Sequence, residues 1–257
     1  MTETIIQQRR HIQHLLDTNS PADGLATYYA LFHPPERTTL TVHRDTAGRV
    51  DGFLVLCRTG MDLFRPLLTM RVQSREVAAD LLEKQLPTHS AVMIVIPLGL
   101  RPVIEAFFSI GGESVSQVYE LRRGDFRPVI NVLVTRSPTP GGDPKFVIRG
   151  QSFDRGAQPT GPALATAGIN WRSPRFAEIY VHTEPAARGR GLGKSVASAV
   201  SNWLLEQGIT PIYTATDDPD HSVRLALGLG FTPTGAYTFF CDGVRRPASV
   251  LSNHSVA

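Results

Sequence analysis

The run Ala187-Arg188-Gly189-Arg190-Gly191-Leu192-Gly193 leads into a helical pattern in which Val196, Val200, Trp203, Leu204 and Gln207 share one face. The residues before it, Phe176 to Thr183, read as a strand. Strand, glycine-rich turn and helix together present unpaired backbone N–H groups to an anion. The first N–H groups of a helix lack carbonyl partners, and its dipole concentrates about half a positive charge there. Gly189, Gly191 and Gly193 have no Cβ to keep a phosphate oxygen from the main chain. Arg188, Arg190 and Lys194 add positive charge at the same place. Two phosphate-binding patterns fail here. A dinucleotide fingerprint needs glycine at 189, 191 and 194, and residue 194 is Lys. A P-loop ending on Gly193-Lys194-Ser195 needs its first glycine where Arg188 stands, with spacing one residue short.

The pattern Arg188-x-x-Gly191-x-Gly193 resembles the signature of the GNAT superfamily of N-acetyltransferases. Ile179-Tyr180-Val181-His182-Thr183-Glu184-Pro185 is similar to that family's approach to the turn, and Ser222-Val223-Arg224-Leu225-Ala226-Leu227-Gly228-Leu229-Gly230-Phe231 resembles its second motif. The resemblance covers about residues 160 to 240. It implies an acetyl-CoA-dependent transfer to a primary amine by direct attack on the thioester. The pyrophosphate would lie on the N–H groups from Gly189 through Arg190, Gly191, Leu192 and Gly193 to Lys194. The pantetheine arm would run beside Val181, His182 and Thr183, where two strands splay, and Ser222 would stand on the cofactor side. A backbone N–H near Val181 would polarise the thioester carbonyl.

Acetyl transfer to an amine needs a proton acceptor, and the departing thiolate benefits from a proton donor. Glu178 lies where relatives carry a base. The family's usual acid, a tyrosine, corresponds to Ala226, which can donate nothing; Tyr180, Tyr213 and Tyr237 are the replacements considered, with Tyr180 taken as the catalytic candidate beside Glu178. His182 and His221 have suitable intrinsic pKa values but are as readily surface residues. The position three before the serine, where the family often has Asn, is Pro219, among Asp217, Asp218 and Asp220. The missing tyrosine also keeps a second reading open: a non-catalytic acyl-CoA-binding module that senses or regulates.

Around these residues the sequence predicts a helix over Thr4–Leu16, a hairpin of Thr38–Arg44 and Val50–Arg58, a helix over Glu76–Gln85, a strand over Ala91–Ile96, a helix over Val103–Ile110 closed by Gly111-Gly112, and a strand over Val115–Arg122. Val129–Thr135 reads as a strand. Ser137–Pro144 is turn chemistry, hairpin loop or linker, and Gly156–Pro162 is loop-like. Ala163–Trp171 and Phe176–Thr183 are strands, the helix after the glycine turn is capped by Gly208, Pro211–Thr216 is a strand, Asp220–Leu229 a helix and Phe231–Phe240 a strand. This is an α/β (α+β) order, implying a GNAT-like mixed sheet with flanking helices. The order strand–helix–glycine–strand recurs in both halves and suggests two tandem GNAT-like units: a degenerate half over 1–125, expected to line the acceptor site, and the acetyltransferase domain over 126–257.

Composition fits this reading. The 257 residues are 42% hydrophobic and 19% charged, with net charge +3, which excludes disorder as the main state. From residue 126 onward there are 13 basic and 9 acidic residues; the first 125 hold 13 and 14. The positive excess lies in the half with the glycine turn. Arginines are scattered rather than striped, so no nucleic-acid partner is expected. No apolar run is long enough for a membrane span, and the start shows no signal-peptide core. Two cysteines, Cys57 and Cys241, form neither a disulfide framework nor a metal site; no metal is expected, and a reducing cytoplasm is. Cys241 has no paired base and reads as structural, and Trp171, Phe176 and Trp203 read as core.

Overall fold

The computed structural model describes residues 3–139, 141–150, 161–216 and 221–247. In chain order the elements are α1 (Ile5–Ile12), α2 (Gly24–Thr27), β1 (Thr38–Arg44), β2 (Val50–Cys57), β3 (Leu67–Arg71), α3 (Arg75–Gln85), β4 (Ala91–Pro97), α4 (Arg101–Phe107), β5 (Phe108–Glu120), β6 (Thr135–Pro138), β7 (Pro144–Arg149), β8 (Ala163–Arg172), β9 (Phe176–Thr183), α5 (Leu192–Glu206), β10 (Thr210–Ala215), α6 (His221–Leu229) and β11 (Thr232–Arg245). They form two compact units: 1–116 with 236–257, and 117–235. The sequence suggested 1–125 and 126–257. The divisions fall inside two strands, β5 and β11, which the chain follows from one unit into the other.

In the first unit the strands run in the order β1-β2-β3-β4-β11. β1 and β2 form the expected hairpin, Thr38 opposite Cys57 and Arg44 opposite Val50. β3 pairs parallel with β4, and α3 makes the crossover between them. Ser74 caps α3, its hydroxyl accepting from Val77 N at 3.3 Å, so part of that helix start is satisfied by its own side chain. The core gathers Leu54, Met70, Leu81, Leu82, Ile94 and Phe108 with Phe239 and Cys241 from β11.

In the second unit the order is β5-β10-β9-β8-β7-β6. β6 and β7 pair from Thr135–Val147 to Pro138–Pro144, so Ser137–Pro144 closes a hairpin. β8 and β9 pair antiparallel with a bulge between Ile169 and Trp171. α5 packs Val196, Val200 and Leu204 on Ala177 and Ile179 of β9 and on Tyr213 and Ala215 of β10. Gly208, at φ +73, ends the helix as expected. The order strand–helix–strand–helix–strand with a parallel first pair occurs twice along the chain: β3-α3-β4-α4-β5 and β9-α5-β10-α6-β11.

The structure departs from the predicted elements in two places and adds one unpredicted strand. The apolar run Val103–Ile110 is not one helix: α4 stops at Phe107, and Phe108–Ile110 with Gly111-Gly112 belongs to β5. The aromatic and β-branched residues there fill a strand as readily as a helix, and sheet pairing decides. Val129–Thr135 is irregular except at its last residue, which begins β6, and Ile130 and Val132 point outward, more than nine-tenths exposed. Residues 67–71, with no strand prediction, form β3. Of the loop predicted over 156–162, residues 156–160 lie outside the described residues, as do Asp217 to Asp220.

Candidate functional site

The opening of α5 is set by backbone geometry. Gly189 and Gly191 sit at φ +76 and +72, left-handed angles that cost a glycine little. Gly191 is the N-cap and offers no side chain, so the first-turn N–H groups of a 15-residue helix have no cap of the kind Ser74 gives α3. Gly193 is the close approach. A Cβ there would stand 2.7 Å from Thr183 Oγ1, with Leu225 and Val181 behind it. The helix start can lie against β9 only because residue 193 has no side chain.

In front of this helix start is a cavity of about 440 Å³. Val181, His182 and Thr183 of β9 form one side, Arg188, Gly189, Gly191, Leu192, Gly193 and Lys194 the floor, and Ser222, Arg224 and Leu225 of α6 the opposite side. Tyr213 of β10, a buried side chain, also lines it. Arg188 Nε donates to Thr183 O at 3.3 Å, and the Lys194 stem lies along Gly228. The cavity belongs wholly to the second unit. Its uncapped N–H groups, absent Cβ atoms and basic rim suit a pyrophosphate. Its apolar inner part, Val181, Leu192, Leu225 and the Tyr213 ring, suits a thin acyl-carrying arm. The residues therefore fit an acyl-CoA.

The structure brings ten of the eleven proposed cofactor residues to this wall. Arg190 is the exception: it is exposed and does not line the cavity. Neither proposed catalytic residue lines it. Successive side chains of a strand point to opposite faces. Ala177 and Ile179 pack under α5, and Val181 and Thr183 continue on that face to the cavity wall, so Glu178 and Tyr180 lie on the other face. The Tyr180 ring covers Gly168, its register partner on β8; a Cβ at Gly168 would fall 2.7 Å from the Tyr180 ring and hydroxyl. Burial raises the Tyr180 pKa.

Glu178 is 7% exposed. Its Oε1 accepts from Thr214 Oγ1 at 2.7 Å and its Oε2 from Asn170 Nδ2 at 3.3 Å. Burial pushes its pKa above the ordinary carboxylate range, and the bonds from Thr214, Asn170 and Trp171 hold it back only in part. Parallel pairing of β9 with β10 runs from Phe176–Thr210 to Glu178–Ile212 and then stops. Beyond that point the strands part. Glu178 thus stands at the root of a gap whose two faces are the cavity side and the Thr214 side.

Other groups have ordinary placements. His182 is exposed beside Glu184, with Nε2 3.1 Å from its carboxylate. Both cysteines are buried, and burial pushes Cys57 to about 12 and Cys241 to about 11, which suits inert thiols. Trp171 and Phe176 are buried; Trp203 is half-buried with Arg136 and Arg172 over its ring. Among the described residues no three His, Cys, Asp or Glu side chains gather as a metal site, and no helix is long and apolar enough to cross a membrane.

Of Tyr180, Tyr213 and Tyr237, the sequence points to Tyr180, and the structure puts Tyr213 on the cavity wall instead. The signal that distinguishes them is strand alternation counted from the glycine turn: odd-numbered β9 residues share the α5 face, and Tyr213 joins them there in one core.

Filling the Gly193 contact tests the cavity. Gly193→Ala is expected to weaken CoA binding about tenfold by calorimetry, since forced overpacking costs about 1–3 kcal/mol and 1.4 kcal/mol is tenfold. Removing the opposing hydroxyl with Thr183→Ala in the same chain should recover much of that affinity. No recovery would mean Thr183 is not what limits the approach.

Residues 163–240 match the family model for GNAT acetyltransferase. No curated protein matches the chain. A putative GNAT-family acetyltransferase from Novosphingobium aromaticivorans superposes with a TM-score of 0.55 at 17% identity, over 74% of this chain and 88% of that one. A GCN5-related N-acetyltransferase from Kribbella flavida gives 0.55 at 18%, over 74% and 86%. A tandem GNAT protein from the clavulanic acid biosynthesis pathway gives 0.51 at 14%, over 86% and 87%. The fold is GNAT-like, and the C-terminal region carries the family's sequence pattern.

Proposed function

Starting from a C-terminal region with the GNAT acetyltransferase pattern, we propose that the chain is an acetyl-CoA-dependent N-acetyltransferase acting on a primary amine. The observation that carries this reading is the uncapped start of α5, opening into a cavity walled by Val181, Thr183, Arg188, Lys194 and Ser222. Acetyl-CoA, when bound, supplies an acyl group already activated as a thioester. The chain's own residues do the rest. The N–H groups of Leu192, Gly193 and Lys194 and the cations of Arg188 and Lys194 hold the phosphates. A main-chain N–H near Val181, freed where β9 leaves β10, stabilises charge on the carbonyl oxygen.

On the opposite face Glu178 is the proton acceptor. Its own exposure is too small for direct contact with an amine, but Thr214 is half-buried and donates to it. The amine proton passes to Thr214 Oγ1 as the Thr214 proton passes to Glu178. Burial suits the task, because a carboxylate with a raised pKa is the stronger base.

The first unit is a degenerate copy of the same element order. Its α3 starts on Ser74 rather than on glycines, so that helix start is not built for an anion. The two buried, unbridged cysteines fit a reducing cytoplasm, and arginines scattered rather than striped fit a protein with no nucleic-acid partner.

One feature favours a second reading, an acyl-CoA-binding module without turnover: Ala226, fully buried, stands where the resemblance implies a tyrosine. Thiol release from acetyl-CoA, measured against a panel of small amines, peptide N-termini and lysine side chains, separates the two. Release that depends on one amine class is expected. Tight CoA binding with no release on any amine would support the module and overturn the enzyme.

A further inference from the structure

We propose that Tyr213 is the proton donor to the departing sulfur, with Ser222 holding its hydroxyl. The inference rests on the acyltransfer reading above and names the group that completes it. Among the described residues Tyr213 is the one tyrosine on the cavity wall. It is buried and sits one residue past the last β9–β10 pair, Glu178–Ile212, where the two strands part. Tyr180 faces the other side of the sheet, and Tyr237 belongs to the first unit.

The Tyr213 side chain is fixed on three sides. Its ring packs 6.1 Å from that of Phe231, its register partner across the sheet is Tyr119, and its hydroxyl shares a hydrogen bond with Ser222 of α6. Ser222 favours the ionised phenol, as a hydroxyl able to donate to the phenolic oxygen once the Tyr213 proton has left. Ala226 is on the same helix, one turn beyond Ser222, fully buried and outside the cavity lining.

Alternation gives the arrangement its logic. Tyr213 and Thr214 are neighbours on β10, one on each face of the sheet. The Thr214–Glu178 pair receives on one face; Tyr213 gives on the other. The step balances. The amine nitrogen forms a bond to the thioester carbon and loses one proton to Glu178 through Thr214. The carbon–sulfur bond breaks, its electron pair goes to sulfur, and sulfur takes the Tyr213 proton. Tyr213 is reprotonated through half-buried Ser222 from water, and Glu178 releases its proton to water.

Tyr213→Phe keeps the ring and removes only the hydroxyl. The first measurement needs no turnover: the thiolate absorbance of CoA bound to the protein, titrated with pH. A donor aimed at sulfur favours the thiolate, so the midpoint should lie about one pH unit higher in Tyr213→Phe than in the native chain, the size of a modest charge-assisted hydrogen bond. Ser222→Ala should move it less, in the same direction. CoA affinity, held mainly at the distant phosphates, should stay within about threefold, which also reports that the variant is folded. In turnover, kcat should fall about 100-fold with KM for acetyl-CoA little changed. An unchanged midpoint and unchanged kcat in Tyr213→Phe, beside a native chain that releases thiol, would overturn the assignment while leaving the acyltransfer reading standing. A native chain that binds CoA and never releases thiol would remove that reading itself.

Discussion

Glu178→Gln is expected to lower kcat/KM for the amine by about 100-fold or more, the usual scale for losing a positioned base, while making the protein more stable at alkaline pH. The two effects share one cause. Glu178 is buried, and its pKa is raised, chiefly by that burial. The sign follows from linkage. A carboxyl whose folded pKa lies above its unfolded value binds its proton more tightly in the folded state. Its contribution to stability is therefore complete below the unfolded pKa and is lost as pH rises through the folded one. Catalysis runs the other way, since only the ionised carboxylate accepts a proton. Above its own pKa, Glu178 is a base held at a cost to the fold. Glutamine removes the cost and the base together. It can still accept from Thr214, and Asn170 can turn its amide to present oxygen.

Melting curves across pH should show native and variant chains converging at acid pH and separating above the Glu178 pKa, by roughly 2–4 °C for each kcal/mol in a chain of this size. The acid limb of the native kcat/KM profile should report the same group and disappear in the variant. Full activity in Glu178→Gln at every pH would exclude Glu178 as the acceptor, whatever the melting curves did.

Why the cavity and Glu178 were legible in the sequence and the cavity's tyrosine was not has a physical answer. The anion site proposed at α5 is main chain, and the sequence marks it by what is absent: side chains at 189, 191 and 193. Such a signal is local and survives without knowing the sheet. Helix α5 was similarly plain, because a 15-residue amphipathic pattern between a glycine turn and Gly208 has one interpretation. The faces of β9 and β10 depend instead on what packs above each. Chemical type and nearness to the motif single out Glu178 and Tyr180, yet alternation turns both side chains to the face away from the cavity and leaves Tyr213 on its wall. β3 escaped for a related reason. Five residues between Pro66 and Val72 carry little periodicity of their own and become a strand because β2 and β4 flank them.

Strand partners across long sequence separations were the least legible of all, and β11 shows the consequence. Deleting residues 236–257 is expected to unfold the first unit. β4 lies between β3 and β11, and its whole length from Ala91 to Pro97 pairs antiparallel with Val244 to Thr238. Removing β11 leaves a seven-residue apolar strand with an open edge, a template for aggregation. It also takes two fully buried side chains, Phe239 and Cys241, out of the core that holds Leu82, Ile94 and Phe108. Loss of a buried Phe alone costs about 3–5 kcal/mol, a large part of the 5–15 kcal/mol of a whole domain. Arg245 goes too. Its guanidinium donates to Leu82 O and Leu86 O at the end of α3, and its main chain exchanges bonds with His89 and Ser90.

By contrast Phe239→Ala in the full chain should destabilise the same unit without opening the β4 edge. Urea unfolding followed by far-ultraviolet circular dichroism distinguishes the two. The truncated chain should start with a large part of its signal missing and bind a hydrophobic dye before any urea is added. The point variant should start native and unfold earlier. Adding a synthetic peptide of residues 236–247 should restore signal to the truncated chain by re-pairing with β4. A truncated chain that keeps its full signal and native midpoint would mean that the strand contributed by the second half is dispensable to the first, against everything its pairing and burial imply.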